Sequence, residues 1–133
     1  MTYVYDACAL IAFLKREPGS QVVDRLLGDA KSSHVIHASN LCEIYYDFIR
    51  ASSLADANLA LRTISQLGVR ARATMDERLW KQAGQLKANG GLSIADCFAV
   101  ALTRRVRGEL VTADHREFDP LAQQGICKVV FIR

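Results

Sequence analysis

Proline occurs only twice and glycine eight times in 133 residues, and half the residues are hydrophobic. That scarcity excludes collagen-like, low-complexity and disordered classes, which need Pro and Gly or little apolar content. Long apolar runs are also missing. The longest is Ala7 to Leu14, stopped by Lys15 and Arg16, well short of the ~18–20 residues that span a bilayer. No basic residue precedes that run, as a secretory signal would require; the chain opens Met-Thr-Tyr-Val-Tyr-Asp. A cytoplasmic protein without a membrane partner is expected. The four cysteines, Cys8, Cys42, Cys97 and Cys127, include no C-x-x-C pair, so no zinc ribbon or thioredoxin-like site is spelled out. Neither G-x-G-x-x-G nor G-x-x-x-x-G-K-[ST] occurs, which removes the glycine cradle of nucleotide-cofactor sites. The three histidines form no H-E-x-x-H spacing.

What is present is a regular alternation of strand and helix patterns. Thr2 to Tyr5 is β-branched and aromatic, and the apolar run from Ala7 reads as a helix. Val22, Val23, Leu26 and Leu27 form a second helical set before Gly28, and His34 to Ala38 reads as a strand. Leu41, Ile44, Tyr45, Phe48 and Ile49 follow the i, i+3, i+4, i+7, i+8 template. Ala57, Ala60, Leu61, Ile64 and Leu67 do the same before Gly68. Val69 to Thr74 alternates like a half-exposed strand. Helices are expected over Met75 to Lys87 and Ser93 to Val106, and strands over Glu109 to Ala113 and Lys128 to Ile132. Connections this long imply parallel pairing through crossovers. The expected fold class is α/β: a small parallel sheet covered by helices on both faces, built as one domain over residues 1–133.

Four acids fall at element junctions. Asp6 follows the first strand, and Asp114 follows Leu110-Val111-Thr112-Ala113. Glu43 is placed in the first turn of the helix after the second strand, and Asp96 in the first turn of the helix leading into the fourth. In a βαβ unit all four would meet at the carboxyl edge of the sheet, where open α/β folds place ligands. Each has a plain alternative. Ser93-x-x-Asp96 and Asn40-x-x-Glu43 match a capping box, and Asp6 and Asp114 match N-caps. Capping does not require convergence from distant segments. Clustered carboxylates repel and need a cation, and all-oxygen donors select Mg²⁺ or Mn²⁺. Setting these four aside leaves 17 basic against 10 acidic side chains from the original 14, a balance suited to a polyanion cut at a metal.

The motifs resemble the PIN domain, and within it the VapC-type toxin ribonucleases. Tyr5-Asp6-Ala7-Cys8-Ala9-Leu10 resembles the opening strand with its "D-T/S-S-A-L", and Ser39-Asn40-Leu41-Cys42-Glu43-Ile44 the second acidic motif. Leu92-Ser93-Ile94-Ala95-Asp96-Cys97 runs into Ala99-Val100-Ala101-Leu102, and Leu110-Val111-Thr112-Ala113-Asp114 with Phe118 is similar to "T-x-D-x-x-F". The likeness spans nearly the whole chain in order. It implies a PIN-like three-layer fold and metal-dependent endonucleolytic hydrolysis of RNA. It assigns Asp6, Glu43, Asp96 and Asp114 to a pocket for Mg²⁺ or Mn²⁺. It also implies a homodimer held by a cognate antitoxin whose C-terminal segment lies over the active site. One departure stands out: Ala7 and Cys8 occupy positions where Thr or Ser is usual, and a thiol is the weaker hydrogen-bond partner.

The remaining residues carry plainer expectations. Cys8, Cys42 and Cys97, near candidate acids, are read as small packing residues. His115 is the one histidine within reach of the rim, and Trp80, Tyr45 and Tyr46 are read as core or dimer surface. Two rival functions are tied to this size and class. A receiver-type phospho-acceptor wants paired acids after the first strand and a Lys ending the fifth. A haloacid-dehalogenase-like phosphatase wants D-x-D, where position 8 is Cys. A non-catalytic relative that only binds a partner is the third alternative.

Overall fold

The computed structural model describes residues 1–133. Its elements run β1 (Thr2–Tyr5), α1 (Ala7–Leu14), α2 (Ser20–Leu27), β2 (Ser33–His37), α3 (Ala38–Ala51), α4 (Leu54–Gln66), β3 (Val69–Arg72), α5 (Glu77–Ala88), α6 (Ile94–Val106), β4 (Glu109–Thr112), α7 (His115–Gln123) and β5 (Val129–Phe131). The strands form one sheet in the order β3-β2-β1-β4-β5, and every pairing is parallel. Helices cover both faces, and none is long and apolar enough to cross a membrane. This order differs from the 2-1-3-4-5 order of flavodoxin-like folds, which removes the receiver-type alternative.

Strand residues alternate between two cores, as a two-residue side-chain period requires. Val4, Val35 and Leu110 face the layer of α5, α6 and α7. Their neighbours Tyr5, Ile36 and Val111 face the layer of α1 to α4. All six are sealed from solvent, as expected of parallel strands covered on both sides. Helix α6 is apolar nearly all round, with Cys97 to Thr103 continuously buried. It packs against β1, β2 and β4 at once. A helix with no wet face is fixed by its surroundings, and its first turn is fixed with it.

Two glycines set close approaches. A Cβ at Gly108 would lie 2.3 Å from the Thr2 carbonyl oxygen, so only glycine lets the chain enter β4 tight against the start of β1. Gly19 has φ +97°, and its Cβ would lie 2.7 Å from the Ile132 carbonyl oxygen.

Several expected boundaries shift. Ala38 opens α3 rather than closing β2, and Thr74 lies beyond β3. For α7 the sequence offers only Asp114 as an N-cap, with no helical span after it. The helix is only nine residues long, it contains Pro120, and proline cannot donate the interior helix hydrogen bond.

Candidate active site

β1 is the central strand. The chain continues to β2 on one side and reaches β4 on the other, so the gap beyond the carboxyl ends of β1 and β4 is a topological switch point. Asp6 and Asp114 both flank it. The Asp6 N–H donates to the Val111 carbonyl at 3.1 Å, extending the β1–β4 ladder by one residue and locking Asp6 beside β4. Both acids are also N-caps. Asp6 Oδ1 accepts from the Ala9 N–H at 2.9 Å at the start of α1. Asp114 Oδ1 accepts from the Glu117 N–H at 3.1 Å at the start of α7. Capping and convergence therefore hold together.

Asp6 is 2% exposed. The Thr112 hydroxyl donates to its Oδ2, and the Cys8 thiol lies 3.1 Å from both carboxylate oxygens and donates to them. Burial nevertheless raises its pKa to about 7, with the Asp96 charge adding to the rise and the hydrogen bonds opposing it. Cys8 is half-buried within this network, and Ala113 N–H donates to its sulfur at 3.4 Å. Burial and the Asp6 charge push the thiol up to about 12, so it is a neutral donor rather than a thiolate. It stands where the resemblance leads one to expect a hydroxyl, and it supplies the same bond.

Asp96 lies in the first turn of α6, which is capped by Ser93 through the Asp96 N–H at 3.2 Å. Glu43 sits in the second turn of α3, not the first, because the helix begins at Ala38. Its pKa is raised by burial and then by Asp96 and Asp47. The expected Asn40 cap is also corrected. His37 caps α3, with Nδ1 accepting from the Ser39 N–H at 3.1 Å. Asn40 is instead buried, and its Nδ2 donates to the Ala95 carbonyl at 3.2 Å. His37 adds a stack on Phe98 with ring centroids 4.9 Å apart. These two contacts tie the start of α3 to the start of α6, one turn from Glu43 and beside Asp96.

A fifth acid joins the four. Glu117, on the turn of α7 that Asp114 caps, has its pKa raised to about 8. A hydrogen bond to the Asp96 carboxyl is the largest cause, followed by burial and by the charges of Asp96, Asp114 and Glu43. Its Oε2 is sealed from solvent without a hydrogen-bond partner. The missed signal was the spacing Asp114-x-x-Glu117, a capping pattern that goes unnoticed when no helix is expected there.

Other expectations divide. His115 does not serve the rim: Nδ1 pairs with Asp119 at 2.9 Å, Nε2 lies 2.7 Å from the Arg133 carbonyl oxygen, and the ring stacks on Phe131. Cys97 is buried as expected, whereas Cys42 is exposed. Trp80 and Tyr46 are exposed, which leaves the surface alternative and removes the core one for both.

Five carboxylates from four stretches of chain thus meet at one rim, where the charges of their neighbours help raise the pKa of Asp6, Glu43 and Glu117. The family model for the PIN domain matches residues 3–123. The chain belongs to the PIN domain family. No curated protein sequence matches it, but solved structures share its PIN fold across nearly their whole length. The VapBC-1 structure from nontypeable Haemophilus influenzae has 16% identity and TM-score 0.73, covering 99% of this chain and 98% of that one. VapBC2 from Rickettsia felis, bound to a DNA fragment from their promoter, has 14% identity and TM-score 0.73, with 98% of each chain covered. Mycobacterium tuberculosis VapC20, a Sarcin-Ricin loop cleaving toxin, has 15% identity and TM-score 0.71, covering 89% and 94%.

Proposed function

We propose that this PIN domain protein is a metal-dependent endoribonuclease and the toxin of a toxin–antitoxin pair, with Asp6, Glu43, Asp96 and Asp114 as the acids that hold Mg²⁺ or Mn²⁺ and Glu117 as a fifth. The carrying observation is the convergence of these acids at the switch point, with Asp6 and Glu117 retaining protons to about pH 7 and 8. Burial is the first cause for Asp6 and a bond to Asp96 for Glu117, and in both the charges of neighbouring carboxylates add to the rise, the part that a cation would relieve. The donor set fits a hard cation, since every group is a carboxylate and one Glu117 oxygen has no partner inside the protein. No three His, Cys, Asp or Glu side chains are close enough to enclose an ion by themselves. These acids would therefore hold a hydrated ion in part through its own waters, as Mg²⁺ ordinarily allows.

When bound, the ion supplies Lewis acidity: positive charge opposite the scissile phosphate and a lowered pKa for a nearby water. The protein's own groups do the positioning. Thr112, Cys8 and the Ala9 amide hold the Asp6 carboxylate in one orientation. The Asn40–Ala95 bond sets Glu43 against Asp96. The neighbouring charges of Asp96, Asp114 and Glu43 help Glu117 keep its proton, which a cation bound among them would displace.

An antitoxin partner is supported by a groove of about 520 Å³ between α1, α3 and α4, with Leu14, Phe48, Leu59 and Ala60 inside it and Lys15 and Asp56 at its edge. Such a groove takes the apolar face of an amphipathic helix. The homodimer rests on the family resemblance, to which exposed Tyr46, Ile49 and Trp80 add apolar surface. A non-catalytic relative is disfavoured by Cys8, whose thiol restores the bond that its departure from Thr or Ser would have lost. Purified protein incubated with RNA and Mg²⁺ or Mn²⁺ is expected to cut it, and EDTA, Asp6→Asn and Asp96→Asn are each expected to abolish the cleavage. Cleavage that persists in both variants, or none with either metal, refutes the assignment.

A further inference from the structure

A second cavity opens directly off the acidic cluster. It lies between α7 and the loop joining α5 to α6, and Glu117 lines it together with Arg116. Its volume is about 270 Å³, just below the ~300–1,000 Å³ of sites for drug-sized ligands. That suits one heterocycle better than a coenzyme or a helix. The floor is apolar, made of Leu86, Leu92 and Leu121, each less than 10% exposed. The rim carries the carboxamides of Asn89 and Gln124, and a carboxamide offers both donor and acceptor.

The loop wall is preformed. Lys87 Nζ donates to the Leu92 carbonyl at 2.8 Å and closes the loop on itself. Gly90 and Gly91 hold φ +82° and +85°, and a Cβ on either would meet nothing within 4 Å, so the backbone there is bare. Arg116 makes no ion pair within the chain. Its guanidinium is free to stack on a base or to meet a phosphate.

We propose that this cavity is a nucleobase subsite, which takes an unpaired base next to the phosphate cut at the acidic cluster. Asn89 and Gln124 read the edge of that base, and Arg116 holds the adjoining backbone. The proposal deepens the ribonuclease reading and rests on it. The apolar floor and the two carboxamides suit an uncharged base better than a second phosphate. A base reaches a cavity of this kind only when it is swung out of a helix, so the substrate segment is single-stranded at the cut. Each lost carboxamide hydrogen bond, at ~1 kcal/mol, corresponds to about fivefold in base discrimination, so losing both corresponds to about 25-fold.

Two measurements test this. In the first, uncharged nucleosides are titrated into the isotope-labelled protein in EDTA, and the Gly90 and Gly91 amide and the Asn89 and Gln124 side-chain NMR signals are followed. Saturable shifts from at least one nucleoside, lost in Asn89→Ala/Gln124→Ala, are expected; no shift at millimolar nucleoside overturns the subsite. In the second, a randomised RNA pool is cut in Mn²⁺ and the new ends are sequenced. A base bias at one position beside the cut, flattened about 25-fold in the variant, is expected. A bias identical in both proteins overturns the proposal. If the pool is not cut at all, the ribonuclease reading fails, and the nucleoside titration still decides whether the cavity binds bases.

Discussion

Replacing Asp6 with Asn in the metal-free protein should raise its stability at neutral and alkaline pH. The buried carboxyl ionises near pH 7 in the folded chain against an ordinary value of 3.8. Between those values the folded state binds more protons than the unfolded one, so stability falls as pH rises. The loss is complete above about pH 7. Three pH units at ~1.36 kcal/mol each give about 4 kcal/mol. Asn keeps the cap on α1 as well as Asp does, and its amide nitrogen can donate to Thr112. The variant should therefore match the wild type near pH 4 and exceed it by up to about 4 kcal/mol at pH 8. Urea unfolding in EDTA at stepped pH measures this. Glu117, whose pKa is raised to about 8, leaves a residual fall of the same sign in both proteins. Adding Mn²⁺ at pH 8 to a hundred times its Kd should recover ~2.7 kcal/mol of the wild type's loss and help the variant less. A wild-type stability that is flat from pH 4 to 8, or a variant with no gain at pH 8, refutes the reasoning.

Three further outcomes follow from particular contacts. Cys8→Ser should keep the bonds to Asp6, while Cys8→Ala should strand the Ala113 N–H and lose about 1–3 kcal/mol, seen in thermal melts run side by side. Gly108→Ala forces a Cβ into the Thr2 carbonyl and should destabilise by several times the ~1 kcal/mol of an ordinary substitution; a melting temperature within a degree or two of wild type would contradict the close approach. Asn40→Leu keeps volume but loses the bond to Ala95. It should weaken Mn²⁺ binding, followed by calorimetry, more than Thr103→Val does, since the Thr103 hydroxyl bonds only within α6.

The helices and strands needed little beyond local pattern. Apolar residues at three- and four-residue spacing mark α3 to α6, and alternation with β-branched residues marks the strands, because each depends on neighbours in sequence. The four acids were visible as single residues at junctions, and the rim they share follows from parallel crossovers. Contacts between distant segments were not visible. The Thr112 hydroxyl reaches Asp6 across 106 residues of sequence, and only the β1–β4 register puts them together. His115 turned away from the rim because Phe131 and the Arg133 carbonyl lie beside it. Glu117 entered the cluster because α7 forms despite Pro120. Spacing along one element is a local property that the chain carries on its face. Which side chains share a hydrogen bond, a cavity or a charge depends on how elements pack, and that was decided only by the tertiary structure.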